Sequence, residues 1–120
     1  MFSVAVERHG GLLRIKGQGE AVFADLLALV EMIAAITGKE GQRRVLVDLL
    51  DVHTSLSFTD HLQLGGYVAQ QLRAMERVAS VVPERYRTGT SEKAAQKAGL
   101  QLRTFTVLQE GRAWVLEPAG

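Results

Sequence analysis

The sequence predicts an α/β domain with a mixed, mostly parallel β-sheet and helices packed on it. Short apolar runs typical of strands alternate with longer amphipathic segments, and successive strand–helix–strand units favour parallel strands joined by right-handed crossovers. The run 45–50 is almost continuously apolar and bounded by charge, as expected of a strand buried on both faces. His9-Gly10-Gly11 marks a turn between the first two apolar runs, and this hairpin makes the sheet mixed.

Length and composition predict one packed domain spanning residues 1–120. The chain has 120 residues, of which 47% are apolar and 22% are charged, and its net charge is +1. That length suffices to bury one hydrophobic core. The near-neutral charge excludes a protein that coats nucleic acid, and the lack of cysteine excludes disulfide scaffolds, thiolate metal sites and thiol catalysis. We therefore expect no nucleic-acid partner, no metal and no other cofactor.

Neither a targeting segment nor a membrane span is predicted. Residues 1–8 carry charge early and lack the apolar region of a signal peptide. The longest apolar-rich run, 21–36, is interrupted by Asp25 and Glu31, and it is too short and too charged to span a bilayer. Together with the lack of cysteine, this pattern favours a cytoplasmic protein.

The first third of the chain predicts a hairpin followed by a long helix. The hairpin strands are predicted at 2–7 and 12–16, and Gly17-Gln18-Gly19 is expected to end the second. The helix is predicted at 20–37, with Gly38 as its C-terminal cap. Apolar residues fill about half of its circumference, as expected of a face packed in the core.

The other half of this helix carries a stripe of small residues. The stripe consists of Ala21, Ala24, Ala28, Met32 and Ala35. It is either a plain solvent-facing surface or a flat surface on which a second helix packs. The second interpretation makes Ala24, Ala28, Met32 and Ala35 a candidate interface of a homodimer.

Strands and helices continue to alternate through the rest of the chain. Residues 57–60 have the form of a capping box, with Asp60 in place of the usual Glu, and begin a second helix that ends near Met75. Gly65 and Gly66 lie inside that helix and mark either a close helix–sheet contact or a kink. The remaining predictions are a loop at 51–56, strands at 76–82 and 103–107, and helices at 88–98 and 108–116.

The order of elements and several segments resemble a known family. The segments are residues 45–49 (Val-Leu-Val-Asp-Leu), 77–82 (Arg-Val-Ala-Ser-Val-Val), 91–99 (Ser-Glu-Lys-Ala-Ala-Gln-Lys-Ala-Gly), 103–105 (Arg-Thr-Phe) and 112–116 (Arg-Ala-Trp-Val-Leu). On these residues the chain resembles the STAS domains, which have the fold of anti-sigma-factor antagonists, and above all the small stand-alone bacterial SpoIIAA-like proteins. The resemblance implies a STAS-like α/β fold and a non-enzymatic regulatory or protein-interaction module. It also implies binding of a protein partner or of an apolar ligand.

The resemblance makes Ser57 a candidate phosphosite. In the phosphoswitch members of the family, a partner kinase phosphorylates a serine in an Asp-Ser-Ser-Gly-like run at the start of the second helix. Here Leu56 stands where those members have the Asp, and Phe58-Thr59 stands where they have the small residues that follow. Phe58 would crowd a kinase, so we expect that the phosphoswitch is not retained. As part of the helix alone, Ser57 is predicted to be an N-cap.

Polar side chains cluster in sequence around the loop predicted after the buried strand. Asp48, Asp51, His53 and Asp60 lie within 13 residues, where parallel sheets place their ligand crevice. A histidine beside carboxylates can act as a general acid–base or hold a metal, although this spacing matches no metal motif. The sequence therefore leaves two interpretations: catalysis by an Asp48/His53 loop, or a structural role for Asp48 beside a solvated His53.

Charge is distributed unevenly along the chain. Residues 73–103 carry seven basic and three acidic side chains, a net charge of +4. A basic edge near Arg85 and Arg87 would attract an acidic protein or an anionic lipid headgroup. The alternative is an ordinary solvated surface.

Three functional hypotheses from different classes follow. The favoured one is a non-enzymatic regulatory or interaction module whose partner is an unknown protein or a second copy of the chain. Its candidate ligand or partner surface consists of Asp48, His53, Ser57, Phe58, Arg85 and Arg87. The alternative is binding of a lipid or other small apolar ligand in a pocket between the first helix and the sheet. The least favoured is an enzyme using the Asp48/His53 loop, since no nucleophile is paired with a base at a recognised spacing.

Overall fold

The computed structural model describes residues 1–118 and arranges them as a five-stranded sheet with helices on both faces. The strands are β1 (Ser3–His9), β2 (Leu12–Ala21), β3 (Arg44–Thr54), β4 (Arg77–Val81) and β5 (Leu102–Phe105). The helices are α1 (Phe23–Glu40), α2 (Phe58–Gln71), α3 (Thr90–Lys97) and α4 (Leu108–Leu116), and a 3₁₀ turn covers Glu84–Tyr86. The predicted α/β class with a mixed, mostly parallel sheet is confirmed.

The strands lie in the sheet in chain order. β1 and β2 pair antiparallel through the predicted hairpin turn, whereas β2, β3, β4 and β5 pair in parallel. The helices α1, α2 and α3 each join two parallel strands and contribute to one hydrophobic cluster, so they cover the same face of the sheet. α4 follows β5 and covers the opposite face. Because parallel strands end at the same edge, the loops after β3 and β4 meet at the carboxyl edge of the sheet.

The central strand β3 is buried on both faces, as its sequence predicts. Val45 and Val47 pack in the cluster under α1, α2 and α3. Leu46 points to the other face and packs with Trp114 and Val115 of α4. Burying each such side chain contributes about 1.5–3 kcal/mol, so β3 links the two layers of helices to one core.

Two arginines of the sheet hold the C-terminus of α4. Arg44 and Arg77 are paired neighbours at the starts of β3 and β4. Arg44 Nη1 donates to the backbone carbonyl of Val115 at 2.7 Å and to that of Glu117, and Arg77 Nη1 donates to the carbonyl of Trp114 at 2.6 Å. The last carbonyls of a helix lack partners within it, and positive charge there opposes the negative end of the helix dipole. These contacts therefore stabilise both the end of α4 and its position on the sheet.

A charged contact ties the hairpin to the end of α1. Arg8 Nε lies 2.7 Å from Glu40 Oε1, and Arg8 Nη2 lies 2.9 Å from Glu40 Oε2. The hydrogen bonds from Arg8 and from Gln42 lower the pKa of Glu40 to about 2. The pair is exposed to solvent, so it contributes little to stability despite its good geometry.

β2 is longer than the sequence predicts. The segment 17–19 was expected to end it, but the strand continues through a bulge between Lys16 and Gln18. Gly19 has a φ of +102°, and a Cβ there would clash with the backbone carbonyl of Met1. The glycine signal is therefore real, but it marks a bulge and a close backbone approach instead of a strand end.

The extension of β2 also lengthens β3. Residues 51–54, predicted to be loop, pair with residues 18–21 of β2, and β3 ends only at Thr54. This pairing depends on a partner strand more than 30 residues away in the chain. The local sequence pattern around residues 51–54 therefore does not reveal that β3 extends through them.

α1 begins and ends three residues later than predicted. At its start, Asp25 Oδ2 accepts a hydrogen bond from the backbone N–H of Val22 at 2.9 Å. At its end, Gly41 takes the left-handed conformation with a φ of +88°. Gly38, the predicted cap, lies inside the helix. Two glycines lie near this terminus, and the one that takes the left-handed conformation ends the helix.

The remaining boundaries differ from the predictions by a few residues. α2 ends at Gln71 instead of Met75, β4 and α3 are slightly shorter than predicted, and β5 ends at Phe105 because Val107 already caps α4. The 3₁₀ turn was not predicted, whereas α4 has the predicted bounds.

The two adjacent glycines of α2 lie in different surroundings. A Cβ on Gly65 would come 2.8 Å from the Cβ of Ala94 and would clash with the carbonyl of Ser91, both on α3. Nothing lies within 4 Å of a Cβ on Gly66. The predicted close contact of these glycines with the sheet is therefore wrong: at Gly65 the close contact joins α2 to α3.

Alanine substitutions at these two glycines should change stability in opposite directions. Gly66→Ala should stabilise the protein by about 0.5–1 kcal/mol, because it removes the backbone entropy of a helical glycine at an open position. Gly65→Ala should destabilise it by about 1–3 kcal/mol, because α3 must shift to admit the methyl group. Urea denaturation of both variants measures the two free energies of unfolding. Equal effects at the two positions would contradict the described packing of α2 on α3.

Candidate functional site

Four parts of the chain meet at the carboxyl edge of the sheet: the ends of β2 and β3, the N-terminus of α2 and the 3₁₀ turn. Five of the six predicted surface residues lie on these parts or directly beside them. They are His53, Ser57, Phe58, Arg85 and Arg87, all exposed, and we call them the carboxyl-edge surface. The sixth, Asp48, lies elsewhere.

Asp48 is a buried residue of β3 and not a loop residue. Its side chain is 4% exposed, and its carboxylate accepts a hydrogen bond from the backbone N–H of Leu50 at 3.1 Å. His53 follows five residues later on the same strand, about 16 Å away at the rise of an extended chain. The structural interpretation of Asp48 therefore fits the geometry, and the predicted Asp48/His53 catalytic loop does not form.

Ser57 is the N-cap of α2, as predicted. Its Oγ accepts a hydrogen bond from the backbone N–H of Asp60 at 3.0 Å. In return, Asp60 Oδ2 accepts one from the backbone N–H of Ser57 at 3.1 Å. This is a complete capping box with Asp in the place of Glu.

Large apolar side chains lie exposed beside this cap. Phe58 is 67% exposed, Val22 is 66% exposed and Leu62 is 43% exposed. Val22 also lines a surface hollow of about 400 Å³, together with His53 and Asp60. Because large apolar side chains seldom gather on a free surface without a role, this part of the edge is a candidate interaction site.

Arg85 organises the polar part of the edge. Its guanidinium lies 4.7 Å from the ring centre of Tyr86, and its Nη2 is 3.3 Å from His53 Nδ1. The hydroxyl of Tyr86 accepts a hydrogen bond from the backbone N–H of Thr54 at 3.4 Å. Hydrogen bonding to Arg85, and then to the Thr54 N–H, lowers the pKa of Tyr86 because it favours the phenolate.

The rest of the basic segment does not form one patch with Arg85 and Arg87. Arg77 and Arg103 lie over the ring of Trp114 at 4.9 and 5.5 Å from its centre, on the α4 side of the sheet. Trp114 itself is 8% exposed and belongs to the core. The basic side chains of the segment are thus dispersed, since Lys93 and Lys97 lie on α3, on the face opposite α4.

The predicted stripe of small residues is largely free of contacts. Ala24, Ala28 and Ala35 are exposed on α1, and Met32 is half-buried against the core. Ala21 is not part of the helix, since it ends β2 and is buried.

A second candidate site lies inside the protein, between the sheet and the layer of α1, α2 and α3. Two adjoining cavities of about 120 Å³ each occupy this space. Their shared walls are formed by Leu26, Leu49, Leu64, Ser80, Ser91 and Thr104. The inner cavity continues among apolar side chains such as Ile33 and Val68, and the outer cavity continues to Thr54, Tyr86 and Arg87 at the carboxyl edge.

The size of these cavities limits what they can hold. An engineered apolar cavity of about 150 Å³ is large enough to bind benzene, whereas pockets for larger ligands occupy roughly 300–1,000 Å³. Each cavity is therefore of the size of one small ring or short chain. A whole membrane lipid does not fit in this conformation.

Thr54, a residue of the wall of the outer cavity, carries a buried polar atom that lacks a partner. Its Oγ1 is closed to solvent and forms no hydrogen bond with any residue of the described range 1–118. An unsatisfied buried hydroxyl costs about 1–3 kcal/mol.

His61 and Ser91 form a second polar feature of the outer cavity. Ser91 Oγ donates to the backbone carbonyl of His61 at 3.1 Å and lies 3.1 Å from His61 Nδ1. Ser91 Oγ thus faces two acceptors at the same distance, and the tautomer of His61 sets whether Ser91 donates to Nδ1 or accepts from it. The contact links α2 to α3. The two residues are 30 positions apart in the chain, and the sequence contained no signal for their contact.

Glu92 is the acidic side chain that lines the outer cavity. Its Oε2 accepts a hydrogen bond from the backbone N–H of Thr104 on β5. Within residues 1–118, no group of three or more His, Asp or Glu side chains is placed to hold a metal ion. None of the helices in that range is long and apolar enough to cross a membrane.

Comparison with solved structures identifies the fold. The crystal structure of an anti-sigma factor antagonist from Mycobacterium paratuberculosis superposes with a TM-score of 0.68 and 16% identity, covering 98% of this chain and 96% of that one. An uncharacterised protein with a SpoIIAA-like fold from Shewanella loihica superposes with a TM-score of 0.58 and 17% identity, covering 95% of this chain and 93% of that one. The chain has a SpoIIAA-like fold. This confirms the fold implied by the sequence resemblance.

The SpoIIAA-like fold alone does not assign a function. At 16–17% identity the likeness concerns the backbone, and one fold serves many functions. The sequence matches no family model and no curated protein. The function of this chain therefore depends on what its carboxyl-edge surface and its cavities can bind.

The environment of Arg85 predicts that the two tyrosines titrate separately. Hydrogen bonding to Arg85 lowers the pKa of Tyr86, whereas hydrogen bonding to Glu31 raises the pKa of Tyr67. Ultraviolet titration of the phenols should therefore show two steps, of which Tyr86→Phe removes the lower and Arg85→Ala raises its midpoint. A single step at the pH of free tyrosine would contradict the contact between Arg85 and Tyr86.

Proposed function

We propose that the protein is a non-enzymatic regulatory module of the STAS type that binds a protein partner through its carboxyl-edge surface. The observation that carries this proposal is the exposure of Phe58, at 67%, directly after the capped start of α2. Exposed aromatic residues beside polar groups are the usual anchors of protein interfaces. Arg85 and Arg87 add positive charge to the same edge, which favours a partner with an acidic surface.

The comparison supports a partner of this kind. One protein of the same fold is named as an anti-sigma factor antagonist, and by analogy we propose a regulatory protein as the partner here. A second copy of the chain is the other candidate, with Ala24, Ala28, Met32 and Ala35 of α1 as the contact. We also propose that the protein acts in the cytoplasm.

Partner binding is proposed to work without a phosphoswitch. Ser57 Oγ is engaged in the capping box, and the bulky Phe58 follows it. A kinase would have to displace this cap. A Ser57→Asn variant, which keeps a capping side chain but has no hydroxyl to phosphorylate, is therefore expected to bind the partner as the natural chain does.

Removing the aromatic ring of Phe58 should weaken partner binding. Truncating an interface anchor costs at least about 1–2 kcal/mol, or about tenfold in affinity. The partner is first isolated from an extract with the natural chain and identified by mass spectrometry. Isothermal titration calorimetry with the purified partner then compares the natural chain with Phe58→Ala.

The control for this experiment is Leu116→Ala. Leu116 is also an exposed apolar residue, at 45%, but it ends α4, beside the starts of β3 and β4 at the opposite edge of the sheet. This variant should bind the partner unchanged. If Phe58→Ala binds as tightly as Leu116→Ala, the partner does not use the carboxyl-edge surface.

A second function is favoured by the internal cavities: binding of a small apolar ligand between α1 and the sheet. Both cavities have mostly apolar walls, and the outer one reaches the carboxyl edge through the 3₁₀ turn. Leu26 of α1 lines both cavities, and their size suits a small molecule and not a whole lipid. Because Tyr86 and Arg87 wall the outer cavity, an occupant would also touch residues at the proposed partner surface.

Filling the cavities should abolish binding of a small apolar probe. Benzene is added to the ¹⁵N-labelled protein up to its solubility limit, and saturable amide shifts are expected at residues that line the cavities. Ser80→Leu places a large side chain in the wall that both cavities share, and it should remove these shifts. Ser3→Leu, an exposed strand position, should leave them unchanged. Absence of saturable shifts in the natural chain would exclude this second function.

A further inference from the structure

The two edges of the sheet differ in how their backbone groups are bonded. At the β5 edge, Gln96 Nε2 of α3 donates to the carbonyl of Leu102 at 2.8 Å, and Glu92 of α3 accepts from the N–H of Thr104. At the other edge, β1 pairs with β2 alone, and no hydrogen bond within residues 1–118 reaches its outer side. Such a row of unbonded N–H and C=O groups is a template for a further strand.

The outward backbone groups of β1 belong to Val4, Val6 and Arg8. His9 and Leu12 pair directly across the two-residue turn, so they share hydrogen bonds, and inward and outward groups alternate from there along the antiparallel strand. The side chains of Val4 and Val6 are half-buried against the core under α1. A strand added at this edge would therefore extend both the sheet and its apolar face.

A second copy of the chain is the occupant that the two edges favour. Each copy has one open edge, because side chains of α3 close the β5 edge. When the same edge of two copies pairs antiparallel about a two-fold axis, no open edge remains and assembly stops at a dimer. The run 3–6 (Ser-Val-Ala-Val) carries no charge that would oppose this pairing, since the charges of β1 begin at Glu7.

The position of α1 beside β1 sets where this axis lies. α1 joins the parallel strands β2 and β3, so it runs opposite to them and in the direction of β1. Arg8 of β1 contacts Glu40 at the end of α1. From that contact, Ala5 lies about 10 Å back along β1 and Met32 about 12 Å back along α1, at the rises of a strand and a helix. One axis can therefore pass close to both Ala5 and Met32.

An axis at Ala5 also suits the open edge itself. It pairs Val4 of each copy with Val6 of the other, so that their outward backbone groups meet. Glu7 then lies opposite Ser3 of the second copy. No like charges oppose each other between the paired strands.

One flank of α1 lies towards the open edge and away from α2. Glu31 marks the opposite flank, because its carboxylate accepts a hydrogen bond from the hydroxyl of Tyr67 on α2. Glu40 contacts β1, and Ile36 and Met32 precede it by one and two turns on the same side of the helix. Both side chains are half-buried against the core cluster that includes β1 residues. The flank with Met32 and Ile36 therefore borders the outer side of β1.

A row of residues on this flank is symmetric about Met32. It consists of Asp25, Ala28, Met32, Ile36 and Lys39, and its spacings of three, four, four and three residues keep it on one side of the helix. When two such rows run antiparallel about Met32, Ala28 of each faces Ile36 of the other. Asp25 of each faces Lys39 of the other, at both ends of the contact. The row thus combines interlocking side chains in its middle with opposite charges at its ends.

We infer that two copies of the chain form a symmetric dimer through β1 and α1, with the outer edges of β1 paired antiparallel and Asp25 of each α1 facing Lys39 of the other. This inference deepens the second-copy candidate of the proposed function and rests on it. It adds the strand edge and the ion pairs to the contact. Phe58 stays available to a protein partner, because α2 lies on the other flank of α1.

Sedimentation equilibrium tests the helix contact. The natural chain should form a dimer of twice its own mass that dissociates on dilution. Lys39→Glu turns both attractions to Asp25 into repulsions, so it should raise the dissociation constant about tenfold, and by less in high salt. The matched control is Lys97→Glu, because Lys97 is likewise the exposed lysine in the last turn of its helix, α3. The control variant should dimerise as the natural chain does.

Amide hydrogen exchange tests the strand contact without any substitution. The amides of Val4 and Val6 should exchange at least about tenfold more slowly in the concentrated dimer than after dilution, because only the second copy bonds them. The internal control is the amide of Ala5, which bonds to β2 and should be protected at both concentrations.

The outcomes separate this inference from the proposals on which it builds. If Lys39→Glu dimerises as tightly as Lys97→Glu, or if exchange at Val4 and Val6 does not depend on concentration, the inference is overturned, although a dimer of another geometry stands. A natural chain that stays monomeric at millimolar concentration overturns the second-copy candidate as well. Phe58→Ala should dimerise unchanged, and loss of the dimer in that variant would move the contact to the carboxyl-edge surface and overturn the inference.

Discussion

Burial of β3 on both faces is the constraint on which the rest of the structure depends. Val45 and Val47 must be covered on one side and Leu46 on the other, so the protein needs helices on both faces of the sheet. Right-handed crossovers place α1, α2 and α3 on one face. The other face has to be covered by the chain after β5, and Arg44 and Arg77 hold α4 there by its last carbonyls.

The same architecture creates both candidate sites. Four parallel strands end at one edge, which gathers the exposed His53, Phe58 and Arg85 from separate parts of the chain. Under the three crossover helices, the paired strand positions Ser80 and Thr104 carry small polar side chains where larger apolar ones would close the core. A sheet designed only for stability would fill this space, since unfilled volume forfeits packing energy. The cavities are thus a property of particular residues and not of the fold alone.

Local patterns were enough to predict the order of the elements, the parallel sheet, the bounds of α4 and the Ser57 cap. Each depends on residues close together in the chain: periodic apolar residues, a turn, or a serine three residues before an aspartate. The wrong predictions of where β2 and α1 end also share a cause. Glycines at 17, 19 and 38 were interpreted as ends of elements, whereas the structure uses the first two in a bulged strand and passes through the third. A glycine signals backbone freedom, and the tertiary partner decides how that freedom is used.

The sequence by itself therefore determined the fold class, the five residues that reach the carboxyl edge and the absence of thiol chemistry. Only the tertiary structure decided that Asp48 is buried away from His53, that His61 meets Ser91, and that Thr54 Oγ1 is buried without a partner among residues 1–118. The physical reason is distance along the chain. Strand and helix formation follows local periodicity, but a cavity and its polar atoms arise from side chains of strands and helices that meet only when the sheet and its crossover helices pack.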